Sequence, residues 1–148
     1  MVYLDTGCLL KLYYPEPESA AVAAAVAGEI IVFTALHELE MVTAMQLKLF
    51  RGKGKAEQAA AAIGFVHDDL AAGKLVEAAV DWRTVLREAA RLAQAHAARV
   101  GCRSLDILHC TVAKAAGATV FLSSGTRWCW MLIWRGSTAS PPSVSMNR

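Results

Sequence analysis

Four acidic side chains stand near the predicted ends of strands and starts of helices. Asp5 directly follows a short apolar run, while Glu38, Glu40 and Asp106 fall near the N-termini of two predicted helices. In an open parallel sheet such positions meet in the crevice beyond the carboxyl ends of the strands. Carboxylates brought together repel one another unless a cation lies between them, and they are the oxygen ligands that Mg²⁺ or Mn²⁺ prefers. The spacing therefore predicts a shared divalent-metal site at one edge of a sheet.

The same acids have a second interpretation as helix-capping charges. Glu38, Glu40 and Asp106 lie where the helix dipole favours negative side chains, with or without a metal. The sequence offers no such explanation for Asp5, and an acid directly after a buried strand, at the mouth of the crevice, is more often than not part of a functional site. Spacing alone leaves both interpretations open. A structural zinc site is not indicated, since the four cysteines form no CxxC pair and the four histidines are scattered.

Alternating apolar and amphipathic segments predict the elements that must position these acids. Strands are predicted over residues 2–4, 30–33, 75–80 and 119–122, and helices over 9–14, 19–27, 35–50, 56–72, 82–100 and 104–116. The predicted helix-capping residues are Thr6, Thr34 and Ser104. Strands separated by helices indicate βαβ units, so we expect an α/β fold whose central, mainly parallel sheet is covered by helices on both faces.

The composition indicates one compact, folded domain. The chain has 148 residues, is 55% hydrophobic and 19% charged, and carries a net charge of +2, which argues against an intrinsically disordered chain. No uncharged apolar run reaches the roughly 18 residues of a membrane span, and the N-terminal residues lack the basic region of a secretory signal. We therefore expect a cytoplasmic protein that has no membrane partner.

The C-terminal part of the chain differs in composition from the rest. Asp106 is the last of the 13 acidic residues, and three of the 4 tryptophans lie close together beyond it. We therefore divide the chain into a domain over residues 1–123 and an atypical, acid-free tail over residues 124–148. A frameshift in the coding sequence near Ser124 is one hypothesis for this change.

Several motifs in order resemble PIN-domain proteins, and in particular the VapC toxins of bacterial toxin–antitoxin pairs. The segments that carry the resemblance are Tyr3–Ser19, Thr34–Met45, Arg103–His109 and Ala118–Ser123. The resemblance implies a three-layer α/β/α PIN-like fold and a Mg²⁺- or Mn²⁺-dependent endoribonuclease activity of the toxin type. It also implies RNA as the substrate, a cognate antitoxin as the partner, and a homodimer.

The resemblance also assigns the family's acids to positions of this chain. The first acid falls on Asp5 and the third on Asp106. The second falls on Glu40, because the family's glutamate is followed four residues later by a small residue, here Ala44, a match that Glu38 lacks. Asp5, Glu40 and Asp106 are therefore the candidate catalytic and metal-ligating residues.

The fourth acid of the family has no counterpart in this chain. It normally follows the last of the motif strands, and Gly125 stands at that position. The departure leaves two alternatives open. One is a metal-dependent ribonuclease weakened by the missing acid, and the other is a non-catalytic PIN-fold binding protein that still pairs with an antitoxin.

Basic residues provide candidate contacts to RNA, since Lys and Arg bound to phosphates supply affinity that does not depend on base sequence. These candidates are Lys11, Lys48, Arg51, Lys53 and Lys55. For residues 48–55 the alternative is a solvated basic helix end, which the helix dipole favours. Alanine-rich helix faces over 20–27 and 56–62 suit either the homodimer or close packing within one subunit.

Overall fold

The computed structural model describes residues 1–123, and the acid-free tail, including Gly125, lies outside these residues. The described strands and helices are β1 (Val2–Leu4), α1 (Thr6–Tyr13), α2 (Ser19–Ala25), β2 (Ile31–Phe33), α3 (Ala35–Phe50), α4 (Ala56–Ala71), β3 (Leu75–Glu77), α5 (Trp82–Val100), α6 (Ser104–Ala115) and β4 (Val120–Leu122). Every predicted element is present, and the bounds of α3 and α5 agree with the prediction.

The described strands form one sheet in the order β3-β2-β1-β4, and every neighbouring pair is parallel. In the central strand β1, Val2 pairs with Ile31 of β2 on one side and with Val120 of β4 on the other. The chain leaves β1 toward β2 and returns later on its opposite side, so the strand order reverses at β1. Such a reversal opens a crevice beyond the carboxyl end of the strand. The predicted α/β fold with a parallel sheet is confirmed.

Two hydrophobic cores lie on the two faces of this sheet, because successive side chains of a strand point to opposite faces. Tyr3, Val32 and Phe121 pack on one face with the apolar side chains of α5 and α6. Val2 and Leu4 pack on the other face with those of α1, α3 and α4. Helices therefore cover both faces, which gives the three-layer α/β/α arrangement.

Two of the predicted helix-capping residues are wrong by one position. Asp5, not Thr6, is the N-cap of α1, and its Oδ1 atom accepts the Cys8 N–H at 2.7 Å. Arg103, not Ser104, occupies the N-cap position of α6. Asp5 thus has a helix-capping contact as well, which its place directly after a strand did not indicate. The reason is that its backbone stays extended after β1 while the next residue is already helical.

The alanine-rich face of α4 packs within the subunit, since Ala59 and Ala62 are buried in the core. The α2 helix, by contrast, has no buried residue. Of the two alanine-rich helices that could form a dimer, α4 therefore uses its alanine-rich face for close packing within one subunit. Within residues 1–123, no helix is both long enough and apolar enough to cross a membrane.

Candidate functional site

The three candidate acids all lie toward the carboxyl edge of the sheet. Asp5 directly follows β1, and its N–H binds the carbonyl of Leu122 at the end of β4 at 2.8 Å. Glu40 lies in the second turn of α3, the helix that follows β2, and Asp106 in the first turn of α6. The fold thus places these acids near one edge, as expected for a parallel sheet.

Both oxygens of the Asp5 carboxylate accept hydrogen bonds from neutral donors. Oδ1 accepts the Cys8 N–H, and Oδ2 accepts the hydroxyl of Ser123, the residue after β4. The two donors come from opposite ends of the described chain. They fix the orientation of this half-buried carboxylate.

Two side chains from different elements converge on one oxygen of Glu40. Its Oε2 atom accepts the Thr6 hydroxyl at 2.6 Å and the His109 Nε2–H at 2.7 Å, and 22% of the side chain is exposed. Partial burial alone would raise the pKa of Glu40. The hydrogen bonds from His109 and Thr6 together lower it by more than burial raises it, so the pKa lies below its ordinary value. Glu40 is therefore ionised at neutral pH.

A buried tyrosine holds the other side of the His109 ring. The Tyr3 hydroxyl lies 2.9 Å from His109 Nδ1, and the two rings meet edge to face. A carboxylate can only accept, so His109 Nε2 carries the hydrogen and, in the neutral ring, Nδ1 accepts from Tyr3. Burial raises the pKa of Tyr3 far above its usual range, which keeps the phenol protonated. Tyr3, His109 and Glu40 thus form a directed chain of hydrogen bonds.

A second buried histidine, His37, lies beside this chain but bonds to the backbone. Its Nε2–H donates to the carbonyl of Leu4 at 2.8 Å, and its Nδ1 accepts the Thr34 N–H at 3.1 Å. The ring is fully buried, 5.7 Å from the ring of His109. Burial lowers the pKa of His37 to about 4, so the ring is neutral at physiological pH. Its contacts join the end of β1 to the start of α3.

Asp106 is held by its own helix terminus. Its Oδ2 atom accepts the Arg103 N–H at 3.0 Å and the Arg103 Nε–H at 3.3 Å. The Arg103 side chain is largely exposed. Burial, and after it the charges of Asp106 and Asp5, raise the pKa of the Cys110 thiol to about 12.

The sequence and the fold of this chain match a known domain family. A family model for the PIN domain matches residues 2–130. The chain belongs to the PIN domain family. The crystal structure of FitAcB from Neisseria gonorrhoeae is similar to this PIN domain, with a TM-score of 0.58 over 90% of this chain and 93% of that chain, at 15% sequence identity. At this identity the likeness concerns the fold alone, and no curated protein matches the chain. The predicted family and its three-layer α/β/α fold are confirmed.

The carboxylates of this PIN domain suit a hard divalent cation by their chemistry. Asp5, Glu40 and Asp106 offer oxygen ligands at one edge of the sheet, and Mg²⁺ and Mn²⁺ prefer such ligands. Among residues 1–123, however, no three acidic, histidine or cysteine side chains are gathered closely enough to enclose an ion. Glu38, the acid rejected in favour of Glu40, is exposed. The three carboxylates are therefore the right type of ligand for such an ion, although Asp106 is hydrogen-bonded to Arg103.

Two of the candidate RNA contacts are engaged in ion pairs. Lys11 lies 3.3 Å from Glu18, and Lys48 lies 2.8 Å from Glu16. The Lys48 ammonium also lies 4.5 Å from the centre of the Tyr14 ring. These contacts tie α1 and α3 to the segment before α2, so neither lysine is a free surface charge.

The other three basic candidates lie away from the acids. Arg51, Lys53 and Lys55 are exposed in the turn after α3. Glu40 and Arg51 are 11 residues apart along this helix, which corresponds to roughly 16 Å along its axis. The structure therefore brings the three acids to one edge of the sheet and leaves the basic turn at the far end of α3.

The sequence does not predict which side chains hold the acids. Thr6 and His109 hold Glu40, Ser123 holds Asp5, and Tyr3 acts through His109. His109 lies three residues after Asp106 on the same side of a helix, so it could reach the site, but the sequence favours a packing role in the core. Tyr3 and Ser123 carry no comparable signal, because their partners are more than 100 residues away in the chain.

Proposed function

We propose that this PIN domain is a Mg²⁺- or Mn²⁺-dependent endoribonuclease toxin, controlled in the cytoplasm by a cognate antitoxin protein. PIN domains are generally metal-dependent nucleases, which supports hydrolysis of nucleic acid phosphodiesters. The single observation that carries the proposal is the ionised Glu40 carboxylate, oriented by Thr6 and His109 at the sheet edge that also bears Asp5. RNA rather than DNA rests on the resemblance of the motifs to VapC toxins.

Asp5, Glu40 and Asp106 would hold the cation in this proposal. When bound, a divalent ion supplies a water of lowered pKa and offsets the charge that builds on the phosphoryl oxygens. The chain's own contribution is to orient the carboxylates and to keep Glu40 charged. Cys8 and Ser123 orient Asp5, while the depressed pKa of Glu40 keeps that side chain anionic at neutral pH.

RNA would reach this edge as an extended strand in the proposal. Arg51, Lys53 and Lys55 are exposed and form no ion pair with residues 1–123, so they are available to phosphates distant from the cleaved bond. Lys11 and Lys48 would contribute only after release from their glutamate partners. A homodimer and the domain limit at residue 123 remain parts of the proposal.

A non-catalytic PIN-fold binding protein is the alternative function. Two observations favour it: Gly125 stands where the family has an acid, and Asp106 is engaged by Arg103. This protein would still pair with an antitoxin and would bind RNA without cleaving it. Gly125→Asp distinguishes the two functions, because restoring the acid raises a weakened activity only if the other ligands are functional.

The test is cleavage of a panel of structured RNAs by the full chain, with and without Mg²⁺. Asp5→Asn removes the negative charge but retains an acceptor for the cap of α1, so the helix is preserved. Asp68→Asn on α4 is a matched control, since this acid is exposed and away from the sheet edge. We expect cleavage that requires Mg²⁺, disappears in Asp5→Asn and persists in Asp68→Asn. Cleavage that survives Asp5→Asn or needs no divalent ion would overturn the proposal.

A further inference from the structure

The two oxygens of the Glu40 carboxylate have different surroundings. Both donors to this group, Thr6 and His109, bind Oε2. Oε1 accepts no hydrogen bond from residues 1–123, and the side chain is partly exposed. The carboxylate is thus fixed through Oε2, and Oε1 is left without a donor from the described residues.

The hydrogen bond from His109 to Glu40 joins two helices that are far apart in the sequence. His109 is buried on α6, which packs on the α5 side of the sheet, whereas Glu40 belongs to α3, and the residues are 69 positions apart. A buried imidazole needs partners for both nitrogens, since a polar group left unpaired in the interior costs about 1–3 kcal/mol. Tyr3 supplies one partner and Glu40 the other. The ring therefore has a single orientation in which Nε2–H is directed at Glu40.

Tyr3 supports the tautomer of His109 that the Glu40 carboxylate requires. Because Glu40 can only accept, the hydrogen of the neutral ring lies on Nε2, and the Tyr3 hydroxyl then donates to Nδ1. In metal sites, hydrogen bonds of this kind hold ligating carboxylates in place, and their loss typically lowers metal affinity or activity 10–100-fold. Thr6 alone would leave the carboxylate free to rotate about a single hydrogen bond.

We propose that His109, oriented by Tyr3, is a positioning residue that holds Glu40 by Oε2 so that Oε1 is directed at a divalent cation. This inference rests on the proposed function, because it concerns the same metal site. Helix α6 would then contribute both a ligand, Asp106, and a residue that orients a ligand, His109. The residue acts through Glu40 and does not itself contact the cation or the RNA.

The experiment measures Mn²⁺ affinity of the full chain by isothermal titration calorimetry, with thermal melting of each variant alongside. His109→Gln places an amide N–H near the position of Nε2, whereas the shorter His109→Asn ends near the position of Nδ1 and cannot reach Glu40. We expect Mn²⁺ affinity to fall about tenfold or more in His109→Asn and to stay within about threefold of wild type in His109→Gln. His67→Gln, at an exposed histidine of α4, is the control.

Tyr3→Phe provides a second variant that leaves His109 in place. Removal of the hydroxyl frees Nδ1 to take the hydrogen, so the donor to Glu40 is absent in part of the population. We expect Mn²⁺ affinity to fall in the same direction as in His109→Asn but by less. In RNA cleavage, kcat should fall in both variants while KM is unchanged, because neither side chain contacts RNA.

Other results of the Mn²⁺ titrations distinguish failure of the positioning role from failure of the proposed function. If His109→Asn binds Mn²⁺ as wild type does while Asp5→Asn does not bind, the positioning role is wrong and the proposed function stands. Equal loss of affinity in His109→Gln and His109→Asn, together with lowered melting temperatures, would show a merely structural histidine and overturn the inference. If wild type itself shows no saturable Mn²⁺ binding, the proposed function fails and the inference fails with it.

Discussion

Glu40 and Asp106 both lie near the start of a helix at the same edge of the sheet, yet their surroundings differ. Glu40 is held by Thr6 and His109, which come from two other helices. Asp106 is held by Arg103, three residues away at the start of its own helix. A contact within one helix terminus is explained by helix formation alone, whereas convergence of distant, buried donors requires the whole fold. The position of Glu40 is thus the stronger indication of a functional carboxylate.

The largest effect is expected from removing the charge of Glu40. Glu40→Gln keeps the size of the side chain and an acceptor for Thr6 and His109, so the fold should be retained. RNA cleavage in Mg²⁺ should fall by about 1000-fold or more, because loss of a ligand removes several kcal/mol of stabilisation of the transition state. Glu38→Gln, two residues away and exposed, is the matched control. Equal activity of the two variants would refute the distinction between Glu40 and its neighbours.

The buried histidine beside His109, His37, predicts that the stability of the fold depends on pH. His37 has a pKa of about 4 in the folded protein and an ordinary value near 6.5 when unfolded. Below pH 6.5 the unfolded chain binds a proton that the folded protein does not, so stability falls as the pH decreases. Between pH 6.5 and 4 the free energy of unfolding should decrease by on the order of 3 kcal/mol from this group.

Urea denaturation across this pH range measures the effect. His37→Gln keeps a donor for the Leu4 carbonyl but cannot titrate, so its stability should change much less with pH. His67→Gln, at an exposed histidine, should retain the dependence of wild type. An equally steep loss of stability in His37→Gln would show that other groups cause it.

Two substitutions of Asp106 separate its capping contact from a ligand role. Asp106→Asn keeps an acceptor for the Arg103 N–H and loses only the charge, whereas Asp106→Ala loses both. We expect Mn²⁺ affinity to fall about tenfold or more in both variants. Only Asp106→Ala should lose about 1 kcal/mol of stability, from the missing hydrogen bond. If Asp106→Asn binds Mn²⁺ as tightly as wild type, Asp106 is a capping charge alone.

The smallest effect is expected at the basic turn, far from the acids. Substitution of Arg51, Lys53 and Lys55 by Ser should weaken RNA binding a few-fold for every sequence tested. It should also reduce the slope of log affinity against log salt by about 0.7 for each phosphate that the variant no longer neutralises. A double variant of the exposed Arg83 and Arg87 on α5 is the control. No difference between the two variants in a filter-binding salt series would exclude the basic turn from RNA binding.

Local patterns account for the part of the fold that the sequence predicts. An apolar run before Asp5, and Thr34 before an amphipathic stretch, determine where β1 ends and α3 begins. Family resemblance then selects Glu40 over Glu38, and the exposure of Glu38 agrees with that choice. Capping positions were less predictable, because Thr6 and Asp5 are both good capping residues and only the backbone conformation distinguishes them.

The partners in the hydrogen bonds that orient the acids could not be predicted in the same way. Tyr3 appears in the sequence as an apolar strand residue and His109 as a polar residue of an amphipathic helix. Their contact depends on how α6 packs against β1, and so on the whole sheet topology. The sequence contains the same ambiguity for Asp106, where a capping charge and a metal ligand require the same residue at the same position.

A crystal of the full chain soaked in Mn²⁺ tests the central claim most directly, because anomalous scattering locates the ion independently of activity. We expect one peak at the carboxyl edge of the sheet, in contact with a carboxylate oxygen of Asp5 and with Oε1 of Glu40, while Oε2 remains bound to Thr6 and His109. An edge without a peak at saturating Mn²⁺, or an ion held by residues other than these acids, would contradict the claim.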